Sequence, residues 1–169
     1  MRLYHGSIVE VHKPSLRYGR ERTDFGRGFY TTTLAEQAEH WASIKKDRAK
    51  AAKAIVSVYE IDDAVLNDPT LKIREFHGVD EAWLNFVVGC RKEEATKHDY
   101  DLVFGPVAND NVFTTVNLYE SGILDAAAAI LQLRAYKTYD QLSFHTARVI
   151  KALRFVESYE VKLTTDSKL

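Results

Sequence analysis

Apolar and polar residues alternate with period two in several short stretches of the chain and recur at helical spacing in the segments between them. Arg2 to His5 alternates directly before Gly6-Ser7, which predicts a short first strand ending in a turn. Ala54 to Ile61 is the most regular strand pattern, with Ile55, Ser57, Tyr59 and Ile61 on one face and Val56, Val58 and Glu60 on the other. Leu71 to Phe76 reads as a short strand, Asp101 to Val107 as a buried strand closed by Gly105-Pro106, and Phe155 to Leu163 as a last strand. Thr138 to Thr146 is a strand that sets Tyr139, Gln141, Ser143 and His145 on one face and Asp140, Leu142 and Phe144 on the other.

Helical spacing fills the gaps. Thr33 with Glu36 three residues later has the capping-box pattern, and Leu34, Ala38, Trp41, Ala42 and Lys45 follow one face of a helix reaching about Ala51. Val79 to about Ala95 carries the stripe Ala82, Trp83, Phe86, Val87 and Cys90. After the polar turn Asn109-Asp110-Asn111, helices are expected over Val112 to Tyr119 and Ile123 to Tyr136, divided by Ser121-Gly122, and a short one over Ala147 to Leu153. Ile8 to Thr23 holds no periodicity and reads as a long surface loop, a kind of segment that is usually functional or mobile. Strands interspersed with helices, without a regular βαβ rhythm, predict an α+β fold, with one domain over 1–163 and a disordered tail over 164–169.

Composition narrows the classes. A chain of 169 residues, 46% hydrophobic and 28% charged, is long enough for one well-buried core and short for two. A net charge of −1 gives no global field toward nucleic acid or an anionic membrane, although Arg17, Arg20 and Arg22 form a local basic cluster in the loop. The single cysteine, Cys90, excludes an internal disulfide, and neither CxxC nor a Cys/His cluster offers a metal site. No signal-peptide core and no run of roughly 20 apolar residues occurs, so the expectation is a soluble, cytoplasmic protein without a membrane partner. The terminal Ser167-Lys168-Leu169 spells a peroxisomal address that we read as coincidence.

Candidate chemistry gathers at three places. In Asp24-Phe25-Gly26-Arg27-Gly28-Phe29-Tyr30, two glycines and a turn-forming aspartate feed an aromatic strand, and Tyr30 sits just inside it beside a glycine-walled space. Asp24-Phe25-Gly26 also spells the kinase magnesium motif, but the kinase reading fails without a glycine-rich phosphate loop or a His-Arg-Asp loop. His5 stands at the end of the first strand and Gln141 on a polar face of a late one. Each alone is an ordinary residue.

In this order they resemble the ADP-ribosyltransferase superfamily, in the diphtheria-toxin and poly-ADP-ribose-polymerase-like branch whose motif is His, Tyr and usually Glu on three strands. Tyr4-His5-Gly6-Ser7, Gly26-Arg27-Gly28-Phe29-Tyr30 and Asp140-Gln141-Leu142-Ser143-Phe144 carry the likeness. Together these signatures also resemble the bacterial domain-of-unknown-function family 3990, a group often considered toxins of toxin-antitoxin pairs. The resemblance implies a split pair of small, antiparallel-rich sheets with NAD, as substrate and without a metal, in the cleft between them. It implies that His5 bonds a ribose hydroxyl, that the Gly6 backbone, next to Ser7, grips the nicotinamide carboxamide, and that Tyr30, behind Gly28, covers one face of the ring. Trp41, eleven positions after Tyr30, would cover the other face, and plain core packing stays equally open for it.

Gln141 departs from the family pattern, since a neutral amide keeps a hydrogen bond but supplies neither full charge nor a base. Asp140 is adjacent but on the opposite strand face. The expected function is NAD-dependent mono-ADP-ribosyl transfer by a bacterial toxin to an unidentified protein or nucleic-acid acceptor, with a cognate antitoxin as protein partner. A catalytically silent protein that binds NAD or a partner is the alternative, and an RNA 2′-phosphotransferase a weaker third. His145 is expected to serve structural hydrogen bonding.

Overall fold

The structure, a computed structural model, describes residues 1–92, 97–107, 110–135 and 139–162. It is α+β, with seven strands among these residues arranged in two sheets. The first sheet has the order β1 (Arg2–Ser7), β3 (Ile55–Glu60), β7 (Arg154–Glu160), all antiparallel. The second has the order β2 (Phe29–Thr31), β6 (Asp140–Phe144), β5 (Leu102–Pro106), β4 (Ile73–Glu75), antiparallel except for the β4–β5 pair. The helices are α1 (Ala35–Ala49), α2 (Asp63–Leu66), α3 (Glu81–Arg91), α4 (Asp110–Glu120), α5 (Ala126–Arg134) and α6 (Ala147–Ile150), with a single 3-10 turn at Leu16–Tyr18 inside the long loop.

Three apolar layers hold these elements. Ala38 and Ala42 of α1 pack on Val56 and Val58. The opposite face of that sheet, with Leu3 and Tyr59, meets Phe29, Leu102, Leu142 and Phe144 of the second sheet. The far face of the second sheet, through Val103, meets Phe25 and the α3, α4 and α5 residues Trp83, Val87, Val116 and Leu133. Period-two alternation therefore survives in buried strands because each face meets a different layer. Both faces of the Ala54 to Ile61 pattern are buried.

Some expected details are corrected. The Thr33–Glu36 capping box does not form: Leu34 is the N-cap of α1 without a side-chain bond, because the Thr33 hydroxyl donates to the Asp140 carboxylate instead. On α3 the buried stripe is Trp83, Leu84, Val87, Val88 and Cys90, whereas Ala82 is exposed and Phe86 half-buried. That helix starts at Glu81, where the Asp80 carboxylate accepts from Trp83 N, so Val79 lies outside it. Similarly Asp125 caps α5 and leaves Ile123 in the preceding turn. The helix expected from Val112 begins at Asp110, so Asp110 and Asn111 belong to α4 and not to a turn before it. The helix ends expected at Ala95 and Tyr136, Asn109, Thr138 and the 164–169 tail lie outside the described residues.

At Gly6 the backbone of β1 comes directly against that of α1. A Cβ built there would come within 2.1 Å of Ala38 O and 2.8 Å of Ala42 N, so the backbone of α1 lies directly on β1. Both obstacles are backbone atoms and cannot rotate away. Gly6→Ala is expected to cost about 3 kcal/mol through forced displacement of α1, read from urea unfolding midpoints; a loss under ~0.5 kcal/mol would contradict this packing.

Candidate functional site

The two sheets touch at one antiparallel bridge, Tyr4 with Thr32, made by Tyr4 N to Thr32 O (2.8 Å) and Thr32 N to Tyr4 O (3.0 Å). Backbone groups alternate sides along a strand, so Gly6 turns its N–H and C=O the same way as Tyr4, away from β3 and toward β2. Continued pairing would set Gly6 opposite Tyr30, but the ladder stops at the bridge. Instead the His5 ring reaches across, its Nδ1 lying 2.6 Å from Tyr30 O. A carbonyl can only accept, so Nδ1 carries the proton and Nε2 remains an acceptor.

Beside this split lies a cavity of about 920 Å³. His5, Gly6, Ser7, Gly28, Tyr30, Trp41 and Gln141 all line it, so the structure brings together at one place the residues that the sequence resemblance assigns to the catalytic and NAD-binding site. Trp41 is half-buried on the cavity wall, while its neighbours Ala38 and Ala42 take the core face of α1. Gly28 answers to packing, since a Cβ there would stand 2.9 Å from both the His145 ring and Phe144 O. Arg20 and Arg22 line the cavity, whereas the exposed Arg17 is not part of its wall.

Burial and neighbours set the protonation states. His5 stacks on Phe29 with ring centroids 4.5 Å apart, and burial, reinforced by the Lys45 charge, pulls its pKa down to about 3 against the raising effect of the Tyr30 carbonyl. The imidazole is neutral near pH 7. Lys45 donates to Gly6 O at 2.6 Å, and burial, then the Arg20 charge, lowers its pKa to about 8, so it stays mostly protonated at pH 7. Burial raises the Tyr30 phenol above its ordinary range, which removes it as a base. The Cys90 thiol is pushed up to about 12 by burial and then by the Asp24 charge, so no thiolate nucleophile forms.

The Tyr30 hydroxyl braces the loop before β2. It lies 2.8 Å from Thr23 Oγ1, donates to Gly26 O at 2.6 Å and accepts from Phe25 N at 3.0 Å. Tyr30 lines the cavity while its oxygen is fully employed in this brace. Gln141, buried on β6, sends Nε2 to Asp24 Oδ2 (2.9 Å) and Pro106 O (3.4 Å). Asp24 in turn pairs with Arg91, which bonds Asp24 Oδ1 through Nε (3.0 Å) and Nη2 and lies over the Phe113 ring at 4.9 Å.

Asp140, by contrast, is committed elsewhere: its carboxylate accepts from Thr33 N at 3.2 Å and from the Thr33 hydroxyl, and Thr32 Oγ1 lies 2.8 Å away. His145 is held between Ser143 Oγ (2.8 Å) and Arg27 O (3.0 Å), and burial lowers its pKa to about 4. It is a structural hydrogen-bonding residue outside the cavity wall.

Sequence reasoning passed over three residues of this wall. Asp24 reads as a turn former and Arg91 as an ordinary helix end; no local pattern links them. Lys45 had a usable signal, because Trp41, Lys45 and Arg48 recur at i, i+4 and i+7, and all three face the cavity. The wall holds Lys13, Arg20, Arg22, Lys45, Arg48 and Arg91 against Glu10, Glu21 and Asp24, an excess of positive charge in a molecule of net charge −1. Such a concave, locally positive site favours an anionic ligand. No group of three or more His, Cys, Asp or Glu residues able to hold a metal occurs among the described residues, and no described helix is long and apolar enough to cross a membrane.

Two consequences are measurable. Tyr30→Phe removes the acceptor of Phe25 N–H and is expected to cost about 1–3 kcal/mol in chemical unfolding; an unchanged midpoint would show that the brace carries no weight. For His5, the unfolded imidazole takes a proton near 6.5 and the folded one only near 3, so between these values the unfolded chain binds more protons. Stability from the neutral His5 is complete above pH 6.5 and is lost as pH falls toward 3. His5→Asn, which keeps a donor near the Tyr30 carbonyl, should flatten the stability difference between pH 7 and pH 5, measured by urea titration; an unaltered slope would contradict the assignment.

No curated protein matches the chain. A family model described as "Protein of unknown function (DUF3990)" matches residues 1–155 of the 169, and the chain belongs to that family.

Proposed function

We propose that this protein is an NAD-dependent mono-ADP-ribosyltransferase whose reacting centre lies in the cavity at the split between β1 and β2. The observation that carries the reading is the convergence of His5, Tyr30 and Gln141, from three strands of two sheets, on one cavity with positively charged walls. This arrangement agrees with the His, Tyr, third-strand motif that the sequence resembles and with its two-sheet, ADP-ribosyltransferase-like core. NAD is the substrate, and its pyrophosphate supplies the negative charge that Lys45, Arg20 and Arg48 would meet.

In this reading His5 Nε2 accepts a hydrogen bond from a ribose hydroxyl, and the neutral imidazole suits that role because an imidazolium has no acceptor. Gly6 presents its strand edge toward the ligand, with its carbonyl already polarised by Lys45. Tyr30 and Trp41 supply aromatic faces for the cationic nicotinamide. The C1′–N glycosidic bond breaks with its electron pair passing to the nicotinamide nitrogen. The acceptor's lone pair then forms the new bond to C1′, and its proton leaves to solvent. Orientation and charge placement are the enzyme's contribution.

The biological setting that fits is that of a bacterial cytoplasmic toxin held by a cognate antitoxin and modifying a protein or nucleic-acid acceptor. The neutral Gln141 side chain favours one competing reading: a silent member of the fold that binds NAD or a protein partner without turnover. Calorimetric titration with NAD, together with nicotinamide release, separates the two. Wild type is expected to bind NAD and release nicotinamide, with His5→Ala and Tyr30→Ala each weakening binding about 10-fold or more. Binding without release would favour the silent reading, and absence of binding at millimolar NAD would overturn the use of the cavity for NAD and leave only the protein-partner form of the silent reading.

A further inference from the structure

Gln141 is not an isolated amide. Its Nε2 faces two groups that can only accept, the Asp24 carboxylate at 2.9 Å and Pro106 O at 3.4 Å, so the network itself decides which end of the amide is nitrogen. The remaining atom, Oε1, is therefore the acceptor that this side chain has for a ligand in the cavity it lines. Asp24 lines the same cavity and is buried, 8% exposed.

The carboxylate is held with directional order. Arg91 Nε and Nη2 both bond Oδ1, while Gln141 Nε2 bonds Oδ2, so this guanidinium stands on the side of the carboxylate away from the amide. Phe113 covers the guanidinium at 4.9 Å. The Tyr30 hydroxyl contacts Thr23 Oγ1 and Phe25 N, the residues on either side of Asp24, and so fixes the backbone that presents the carboxylate. A second-motif residue thus positions the charge that reaches the third motif.

Resting on the NAD reading above, we propose that Asp24 is the charge-supplying positioning residue of the reaction, acting through Gln141 in place of a carboxylate at position 141. By accepting from Nε2, Asp24 polarises the amide and moves electron density to Oε1, where a ribose hydroxyl would donate. As the C1′–N bond breaks and its electrons pass to nicotinamide, positive charge grows at C1′, and the oriented Asp24–Gln141 pair stabilises it. Asp24 forms no bond to carbon and exchanges no proton. The acceptor's lone pair closes the new bond to C1′ and the acceptor loses its own proton to solvent.

The swap of amide and carboxylate is the direct test, using steady-state nicotinamide release with kcat and KM for NAD. Asp24→Asn should lower kcat on the order of 10- to 100-fold, with KM changed by less than about threefold. Gln141→Glu alone sets two carboxylates at hydrogen-bond distance, one of which must hold a proton, and so should gain nothing at neutral pH. Asp24→Asn combined with Gln141→Glu restores the pair in reversed order and should recover kcat to within about fivefold of wild type. A purely structural Asp24 would not be rescued in this way.

Asp24→Asn also removes the charge that Asp24 gives Arg91, so Asp24→Asn/Arg91→Gln, which removes both charges of the pair together, is measured beside it with the same expected loss of kcat. Wild-type kcat in either Asp24 variant, or a swapped double variant that binds NAD yet is no faster than Asp24→Asn, would overturn the inference alone. A wild type that neither binds NAD nor releases nicotinamide would overturn the underlying reading, and this one with it.

Discussion

The structure depends on a strand pairing that is begun and then abandoned. Tyr4 and Thr32 join the two sheets, and one residue later the His5 ring takes over the carbonyl of Tyr30. Two strand edges left unpaired inside a protein would leave polar backbone groups without partners, a cost comparable to a lost hydrogen bond for each. Here side chains meet part of that demand: His5 serves Tyr30 O, and Lys45 serves Gly6 O. The cavity exists because side chains, rather than the next rung of a ladder, satisfy these groups.

Around that split, residues of different parts of the chain are tied to one another in a fixed order. Tyr30 holds the loop on both sides of Asp24, Asp24 holds Arg91 and Gln141, and Asp140 holds Thr32 and Thr33 at the entrance to α1. The Tyr30 links are local, whereas those of Asp24 to Arg91 and Gln141 and of Asp140 to Thr33 join groups far apart in sequence, so moving one end displaces the other. Burial makes these links matter more than surface ones, because the competing solvent is absent. The same burial explains why His5 and Cys90 are uncharged, which leaves polar contacts, not nucleophilic side chains, as the chemistry available at the wall.

Legibility of the fold followed the range of the interactions. The β3 and β6 strands are readable because each lies between two apolar layers and keeps a strict alternation, Val56 and Val58 against Tyr59, Leu142 and Phe144 against Gln141 and Ser143. The α1 start was misread because a local pattern, Thr33 with Glu36, lost to a partner 107 residues away in sequence. The α3 stripe slipped because Leu84 and Val88 face a core whose shape is set by α4 and α5. At the site, His5, Tyr30 and Gln141 stood out by their glycine and aromatic settings. Asp24 with Arg91 and Gln141 did not, since those pairs join positions 67 and 117 residues apart.

Gly6 and Gly28 suggest a space kept open for a ligand, yet a Cβ on Gly6 would strike the backbone of α1 and one on Gly28 the ring of His145. Both glycines are needed by the protein's own packing, and the ligand edge of Gly6 is a separate property of its backbone in the sheet plane. Substitution of Gly6 therefore cannot isolate binding, because it displaces the helix that also carries Trp41 and Lys45 to the cavity. Charge offers a cleaner separation. Lys45 and Arg20 act on one another across the cavity wall, within a Debye length of about 8 Å only for groups that are close, so the positive field is local and the overall charge of −1 does not describe it. A site of this kind selects its ligand by where its charges stand, and Asp24, buried in the wall beside Gln141, holds its charge where no exposed residue could substitute for it.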